Sequence, residues 1–572
     1  MHLDRRPRRG HTYYLVAKTN RDGTRVWKES MLYVGRLDNR PINEIYTIEK
    51  RIMELKDQDV LRQFYQELRV LRIQVELFRF DAMSIENVQE YGTVVAQHSV
   101  WETLGISEII DRIGLRVGGN VPLSKLVEIQ AIHRNCDPGS REAAERWYSR
   151  TALPIILKVP ISQIYSRILL RSLDYLQPKY TVPMQIEIYK KITDAYGIEP
   201  TRVDIDLTSV HFEGDNCILA RFGYNPPGQG GRKQIVVSIA VDQNGIPLTH
   251  IVFPGNRVSM KSLKRMDHTL SEGFDVEGAV RVGDRGFATE ENIQYMDRKK
   301  EPYLLALELN NKEKGIANEA IQKDNWIKAD DKVQITEVLR HENGRDKKYL
   351  VSINSEKAEN EKTARENRLK AAEEELTRHQ RAIAQGKVKS RKDRDKRIGN
   401  ILQSNSVRSY IDYQGNKNGY GFRFWRLTDK IKEAERWNGV FVLVTTETYM
   451  TPLEMLGSYR ERDRVEKAIR VLKDILEIEP QYVYTKEHVL GHVFICVLAY
   501  QIRSVMKYIL KQQGIDMSID EAFEVLERLK VTNISVEGND AKVYRKLTRQ
   551  DGKITKLVET FNMRDGDMFL AP

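Results

Sequence analysis

Residues 202–309 constrain the fold more than any other part of the chain. They open with three β-rich runs, VDIDLTSVHFEG, RKQIVVSIAVD and IPLTHIVFPGN, separated by turn signals as in an antiparallel meander. Residues 261–273 then read as a helix, AVRVGDRG as a strand closing in a turn, ATEENIQYMDRKK as a helix and EPYLLALEL as a further strand. Three strands followed by helix, strand, helix, strand predict an α/β unit with a mixed sheet, because parallel strands need long crossovers and helices supply them.

The flanking sequence has a different texture. Residues 356–401 are almost wholly charged or helix-forming, which predicts a long, mostly exposed helix or helical hairpin broken near Gly386. Strand signals return in VRSYIDYQ, YGFRFWRL and NGVFVLVTTE, so 310–450 reads as an insertion domain interrupting the α/β core. Core helices resume over 452–476 and 488–510, within a segment 451–512, and 513–572 forms a small α+β appendage. Upstream, residues 1–98 hold a β-hairpin around Asp22-Gly23 and a basic helix over 42–78. Residues 99–200 are helical and punctuated by Gly and Pro. A basic helical N-terminal region suits DNA binding, and a scaffold with a solvated basic surface fits it equally.

At 572 residues the chain exceeds what one hydrophobic core serves, so several units are expected. Its net charge of +11 favours a polyanionic partner, since clustered Lys and Arg displace counterions from phosphates. Three scattered cysteines exclude a zinc cluster or a disulfide framework and fit a reducing cytoplasm. The basic N-terminus leads into no apolar signal segment, and the longest apolar run, 492–500, is too short for a bilayer, so no membrane partner is expected.

Chemistry is carried by carboxylates. Asp204 and Asp206 share one face of a strand, Asp284 ends the AVRVGD strand, and Glu466 lies inside a helix. Three carboxylates brought together repel and raise one another's pKa values unless cations neutralise them. Two divalent cations do so and also drive phosphoryl transfer, and Mg²⁺ suits a site of carboxylates without His or Cys. With 81 acidic residues in the chain, spacing alone does not select these three.

Three motifs select them. DLTSVHFEG resembles the first motif of DDE insertion-sequence transposases, an Asp-x-Thr on the first core strand, and GDRGF at 283–287 is similar to their second. Tyr459, Arg462, Glu466 and Lys473 fit the Y-x₂-R-x₃-E-x₆-K signature of the branch with a β-rich insertion before the catalytic helix. The resemblance covers residues 202–501 and extends more diffusely to DPGSREAAERWYSRTALP, residues 137–154. It implies an RNase H-like core in which Asp206, Asp284 and Glu466 are catalytic and bind Mg²⁺, with Mn²⁺ as a substitute. It further implies that Tyr459, Arg462 and Lys473 contact the DNA end, with double-stranded terminal inverted repeats and target DNA as partners. A homodimer and cut-and-paste chemistry in a prokaryotic cytoplasm, at the nucleoid when DNA is bound, complete the expectation.

On an unbroken helix, 459, 462, 466, 470 and 473 fall on one face, which adds Arg470 to the DNA-contacting set. Trp437 in the insertion is a candidate for stacking on an extruded base, and a place in the insertion core is its other reading. Thr208 is a candidate to hydrogen-bond a ligand carboxylate, and Asp204 is assigned a supporting or surface role. The glycine-rich loop 222–231 and the basic run 387–397 are candidate phosphate contacts, or a plain loop and a solvated helix face. The pair His488 and His492 lacks a third metal ligand and reads as core or capping. Two rival functions share the carboxylates: an RNase H-like resolvase that cuts without joining, and an inactive transposase-derived DNA-binding protein.

Overall fold

The computed structural model describes residues 1–8, 11–36, 49–50, 53, 83–115, 120–214, 216–223, 231–256, 260–323, 325–388, 390–416, 419–536 and 543–563. The chain forms two compact units: Met1–Val88 with Thr532–Leu547 and Gly566–Pro572, and Gln89–Val531 with Thr548–Asp565.

In the smaller unit, strands His2–Arg8, His11–Asp22 and Arg25–Arg36 form an antiparallel meander. Asp22 pairs with Arg25 across the two-residue turn, where Gly23 takes the positive φ of +54° that such a turn requires. A second small sheet has Lys530–Val536 between Met83–Glu90 and Val543–Leu547. Of the helix expected over 42–78, residues 49–50 and 53 are described and are helical, and the rest lies outside the described residues.

The larger unit begins with short helices, among them α1 (Leu123–Cys136) and α2 (Arg141–Ser149). Trp147, Tyr148, Leu126, Ile129 and Leu153 are buried in their shared core. The sheet follows. Its strands β1 (Arg202–His211), β2 (Lys233–Asp242) and β3 (Pro247–Pro254) form the expected meander, with β1–β2 and β2–β3 antiparallel. Helix α3 (Met260–Ser271) leads to β4 (Val280–Gly283), which pairs parallel with β1. Helix α4 (Glu290–Lys299) leads to β5 (Tyr303–Leu307), parallel with β4. The spatial order is thus β3-β2-β1-β4-β5, a mixed sheet with helical crossovers, consistent with the RNase H-like expectation.

The structure departs from the sequence reading in what happens next. Strands β6 (Val333–Glu342), β7 (Arg345–Asn354) and β8 (Val440–Thr445) do not form a separate β domain. β8 pairs antiparallel with β5 on one side and β7 on the other, so the stretch read as an insertion lengthens the core sheet to ten strands. The physical reason is the open edge of β5, a row of unpaired backbone groups flanked by apolar residues. The run VFVLVT of β8, buried almost throughout, closes it.

What leaves the sheet is a helical hairpin between β7 and β8, made of α5 (Ser355–Ala384) and α6 (Arg391–Ser404), which turns at Gly386 with φ of +72°. It is less exposed than its composition suggests. Leu369, Ala372 and Leu376 pack on Ile398, Ile401, Leu402 and Phe422, and Arg426 holds both Glu366 and Glu373. The chain then re-enters the core through α7 (Pro452–Arg460), opened by a Thr451–Glu454 capping box, α8 (Asp463–Arg470) and a π-helical turn at Val471–Ile475.

Helix α9 (Lys486–Gln512) runs through the middle of the unit, and every residue from Val489 to Met506 is buried. By length and composition it could cross a membrane, which corrects the reading of its apolar run as too short. Its polar residues argue for a core helix instead: Gln501 donates to the Pro247 carbonyl at 2.6 Å and Tyr500 to that of Gly245 at 3.1 Å. Buried polar groups of this kind are retained where protein supplies the partner.

Candidate active site

Strand register brings the first two carboxylates together. Asp204 of β1 stands opposite Val282 of β4 in a parallel pair. Two residues further along, Asp206 lies within β1 and Asp284 just past the end of β4, close enough that the Asp284 charge acts on the Asp206 carboxyl. β4 stops at Gly283 because the chain turns there: the Phe287 N–H donates to the Asp284 carbonyl at 3.1 Å, and the Gly286 N–H donates to Asp284 Oδ1 at 2.9 Å. Gly283 suits that close approach, since a Cβ would sit 3.1 Å from the Phe287 ring and 3.2 Å from Leu305 and would press both aside by a few tenths of an ångström.

The third carboxylate arrives on α8. Arg462, at the tight turn between α7 and α8, places Nη1 3.5 Å from Asp206 Oδ2 and hydrogen-bonds Glu466 through Nη2. Its guanidinium also lies over the Tyr459 ring, 5.8 Å from the centroid, and that ring stacks at a tilt against Phe441. Asp206 is mostly enclosed, with 14% of its side chain exposed, whereas Glu466 at 47% forms the open side of the cluster.

The electrostatics follow from this crowding. Burial pushes the Asp206 carboxyl up to about 6, the Arg462 charge and the Leu207 N–H oppose the shift, and Asp284 and Glu466 add to it. Burial also raises the Tyr459 hydroxyl, with Arg462 opposing and Asp284 reinforcing. Arg462 Nη1 is buried without a hydrogen bond, so it acts on Asp206 by charge alone, while Nη2 hydrogen-bonds Glu466. Three carboxylates facing one guanidinium are a donor set short of positive charge, and hard oxygen ligands of this kind fit a divalent cation such as Mg²⁺.

Other predicted residues have other surroundings. Lys473 donates to the Ser209 carbonyl of β1 at 2.6 Å and pairs with Glu479 at 3.1 Å, so its charge is engaged within the protein. Arg470 is exposed and makes no ion pair among the described residues. Trp437 packs against the Tyr303, Leu305 and Val440 cluster, with Lys314 and Arg436 over its ring, and does not join the carboxylates. The Thr208 hydroxyl lies 3.4 Å from the Ser209 carbonyl rather than on Asp206. His488 pairs with Asp174, and His492 is buried beside Arg141. The glycine-rich loop falls largely outside the described residues.

Sequence reasoning missed two supports. Arg202 bonds Asp204 through Nε and Nη2, and reaches the Ser458 carbonyl and hydroxyl and Glu461 through Nη1, tying β1 to the end of α7. Glu479 accepts from the His211 N–H at 2.8 Å, tying the chain after α8 to the far end of β1. The run RVDID carries a signal for the first, because Arg202, Asp204 and Asp206 alternate onto one strand face.

Among the described residues, the tightest potential metal-ligand trio lies elsewhere. His98, Glu102 and Glu128 have ligand atoms within 4.8 Å of one another, and the three carboxylates described above do not converge so closely. In that trio His98 bonds Glu128 at 2.6 Å, and Lys125 lies 3.5 Å from Glu128 and 3.9 Å from Glu102, so a lysine of the protein already faces both carboxylates.

No curated protein matches the chain. A piggyBac transposase synaptic complex with hairpin DNA aligns at 8% identity and a TM-score of 0.37, covering 77% of this chain and 80% of that one. A Mos1 transposase paired-end complex with left transposon end aligns at 12% identity and a TM-score of 0.14, covering 44% of this chain and 67% of that one. Likeness this weak carries no functional weight. The transposase DDE domain family, in contrast, matches residues 198–502, more than half of the chain and the span that holds Asp206, Asp284 and Glu466. The chain belongs to the transposase DDE domain family.

Proposed function

We propose that this protein is a cut-and-paste DNA transposase in which Asp206, Asp284 and Glu466 hold Mg²⁺, with Mn²⁺ able to substitute. The observation that carries the reading is the parallel pairing of β1 and β4, which brings Asp206 in mid-strand near Asp284 just past the end of β4, with Glu466 linked to Asp206 through Arg462. A bound pair of such cations activates the attacking oxygen and stabilises the leaving one.

The side chains around the cluster do the positioning. With Asp206 and Glu466 engaged as metal ligands, the Arg462 guanidinium would be free to present its planar fork to a phosphate of the DNA end. Tyr459 beneath it limits where that fork can go, and exposed Arg470 adds a contact further along the helix. Lys473 holds the helical segment against β1 and Trp437 stays in the core, so neither belongs to this DNA-contacting set. In the reaction, water first cleaves a phosphodiester at the element end and frees a 3′-OH. That hydroxyl then attacks a target phosphodiester, forming a new P–O bond as the target's 3′ oxygen leaves with its electron pair. The partners are double-stranded terminal inverted repeats and target DNA, and pairing two ends calls for a homodimer.

The test is cleavage and joining of a duplex carrying the element's own end, by wild type and Glu466→Gln, with Mg²⁺ and with EDTA. We expect metal-dependent nicking and strand transfer in wild type, at least a hundredfold slower in Glu466→Gln while end binding persists. Nicking without joining would move the assignment to a resolvase-like nuclease. Binding without any cleavage would leave a DNA-binding relic.

A further inference from the structure

Beside Asp284 stands an arginine for which the proposed chemistry has no use. Arg285 follows Asp284 directly, in the turn that stops β4, and its side chain is exposed. Its guanidinium lies over the Phe441 ring, 5.1 Å from the centroid. Phe441 in turn meets the Tyr459 ring at a tilt, with centroids 5.4 Å apart, and Arg462 lies over Tyr459. Cation, ring, ring and cation form one chain of contacts, from the neighbour of Asp284 to the arginine that holds Asp206 and Glu466.

The sheet explains why the ring is there. β5 runs parallel with β4, and β8 runs antiparallel to β5 with Val442 opposite Leu307, the last residue of β5. Phe441, one residue earlier in β8, therefore stands at the end of the sheet where β4 delivers Asp284. Its backbone pairs with Ser352 of β7, and its ring packs against the buried cluster of Val282, Leu443 and Met455. The platform under Arg285 is thus built into the core sheet.

Arg285 differs from the other cations of the site in what its N–H groups do. Arg462 is engaged by Asp206 and Glu466, and Lys473 by the Ser209 carbonyl and Glu479. Among the described residues Arg285 has no ion pair and no side-chain hydrogen bond. A ring attracts the charge of a guanidinium and leaves its five N–H donors for other partners. Burial raises the Tyr459 hydroxyl, and Arg462 and then Arg285 oppose it, so the Arg285 charge is felt at the cluster. A phosphodiester brought to three carboxylates is repelled by them, and a nearby cation with open donors offsets that repulsion.

We propose that Arg285, held over Phe441, hydrogen-bonds a phosphate of the DNA through its guanidinium, and that Phe441 is the positioning residue that fixes where this guanidinium sits. The assignment rests on the transposase reading. Because the Arg285 donors are already open, the contact forms without metal, whereas Arg462 must first leave its carboxylates. The phosphate belongs to the element end or to target DNA, which offer the same chemistry.

The experiment uses the full chain with Arg285→Gln, Phe441→Leu and the two combined, leucine keeping the apolar packing without the ring. Thermal melting checks that each folds, and exposed Arg285 decides the contact by itself if Phe441→Leu does not. Binding of an end-bearing duplex is measured against salt in EDTA, and metal-dependent joining of a pre-cut end against target concentration. For a phosphate of the element end, Arg285→Gln should lower the slope of log K against log salt by about 0.9, with binding weakened for every sequence alike. For a phosphate of the target, that slope holds and the target needed for half-maximal joining rises roughly tenfold. Phe441→Leu should lose part of the same quantity and add nothing in the double variant, because the ring acts through the arginine. Losses that add in full would overturn the positioning role. Arg285→Gln that matches wild type in both assays, while wild type cuts and joins, would overturn the contact and leave the transposase reading intact. Wild type that neither binds the end nor joins it would sink that reading, and this contact with it.

Discussion

Asp204 and Asp206 lie two positions apart on the same face of one strand, and burial raises both carboxyls to about 6, yet their partners differ. Asp204 is fully buried and shares its charge with Arg202, whereas Asp206 faces Arg462 and two further carboxylates. Removing Asp204 would leave the Arg202 guanidinium buried and unpaired on that side. Asp204→Ala should therefore destabilise by about 3–5 kcal/mol in chemical denaturation. Asp206→Asn removes a carboxylate whose charge the fold disfavours, so it should abolish cleavage with no loss of stability, as functional groups held against their preference often do. Equal destabilisation by the two would remove the distinction between support and reacting cluster. The Asp-x-Thr motif selected Asp206 from the sequence, and the RVDID alternation carried the partner of Asp204 unnoticed. The signature assigned Lys473 to the DNA end, and the single helix face that was to hold it with Tyr459, Arg462, Glu466 and Arg470 supposed one regular helix from 452 to 476. The turn at Glu461-Arg462 and the π-helical turn at Val471–Ile475 break that periodicity, and Lys473 ends on the Ser209 carbonyl of β1.

At the scale of elements, the order of strands and helices over 202–309 was legible because each element carries its own period and its own turn residues. Strand pairing beyond β5 was not. Nothing local in VFVLVT says that β8 will lie between β5 and β7, since a short apolar run fits any buried strand position. The β4 turn shows how an element sets a reacting group. Asp284 is placed by the stop at Gly283, by the turn closed through Phe287, and by the Gly286 N–H on its own carboxylate. Adding a methyl at 283 presses on Phe287 and Leu305, both buried. Gly283→Ala should then cost about 1–3 kcal/mol, the usual range for overpacking. Because the displaced element carries a carboxylate, cleavage should fall far more than DNA binding. If cleavage and binding fall in parallel, the turn does no more than hold the fold.

At the scale of the molecule, the helical hairpin separates from the sheet without interrupting it. Asn354 at the end of β7 and Gly439 just before β8 are already in contact, the Asn354 N–H donating to the Gly439 carbonyl at 3.0 Å. The two strands pair through six registered residues, so the excursion between them leaves and returns at one point. The hairpin also carries its own core around Leu369, Leu376, Ile398 and Phe422. Charge patterning marked this stretch as exposed, and missed the core because its apolar positions are diluted by many charges. Replacing residues 356–436 with a short flexible linker should thus leave one cooperative thermal transition and the far-UV signal of the remaining sheet. The lost ties include Glu361 on the Gly439 N–H and Arg365 on Asn438 at the hairpin's base, and two exposed contacts to the body, Glu356 with Lys332 and Arg436 with Asn318. The excised chain also lacks the basic run 387–397, so its DNA affinity should depend less steeply on salt if those cations track phosphate, and equally steeply if they form only a solvated face. A chain that fails to fold after excision would show instead that β8 needs the hairpin to find its place between β5 and β7.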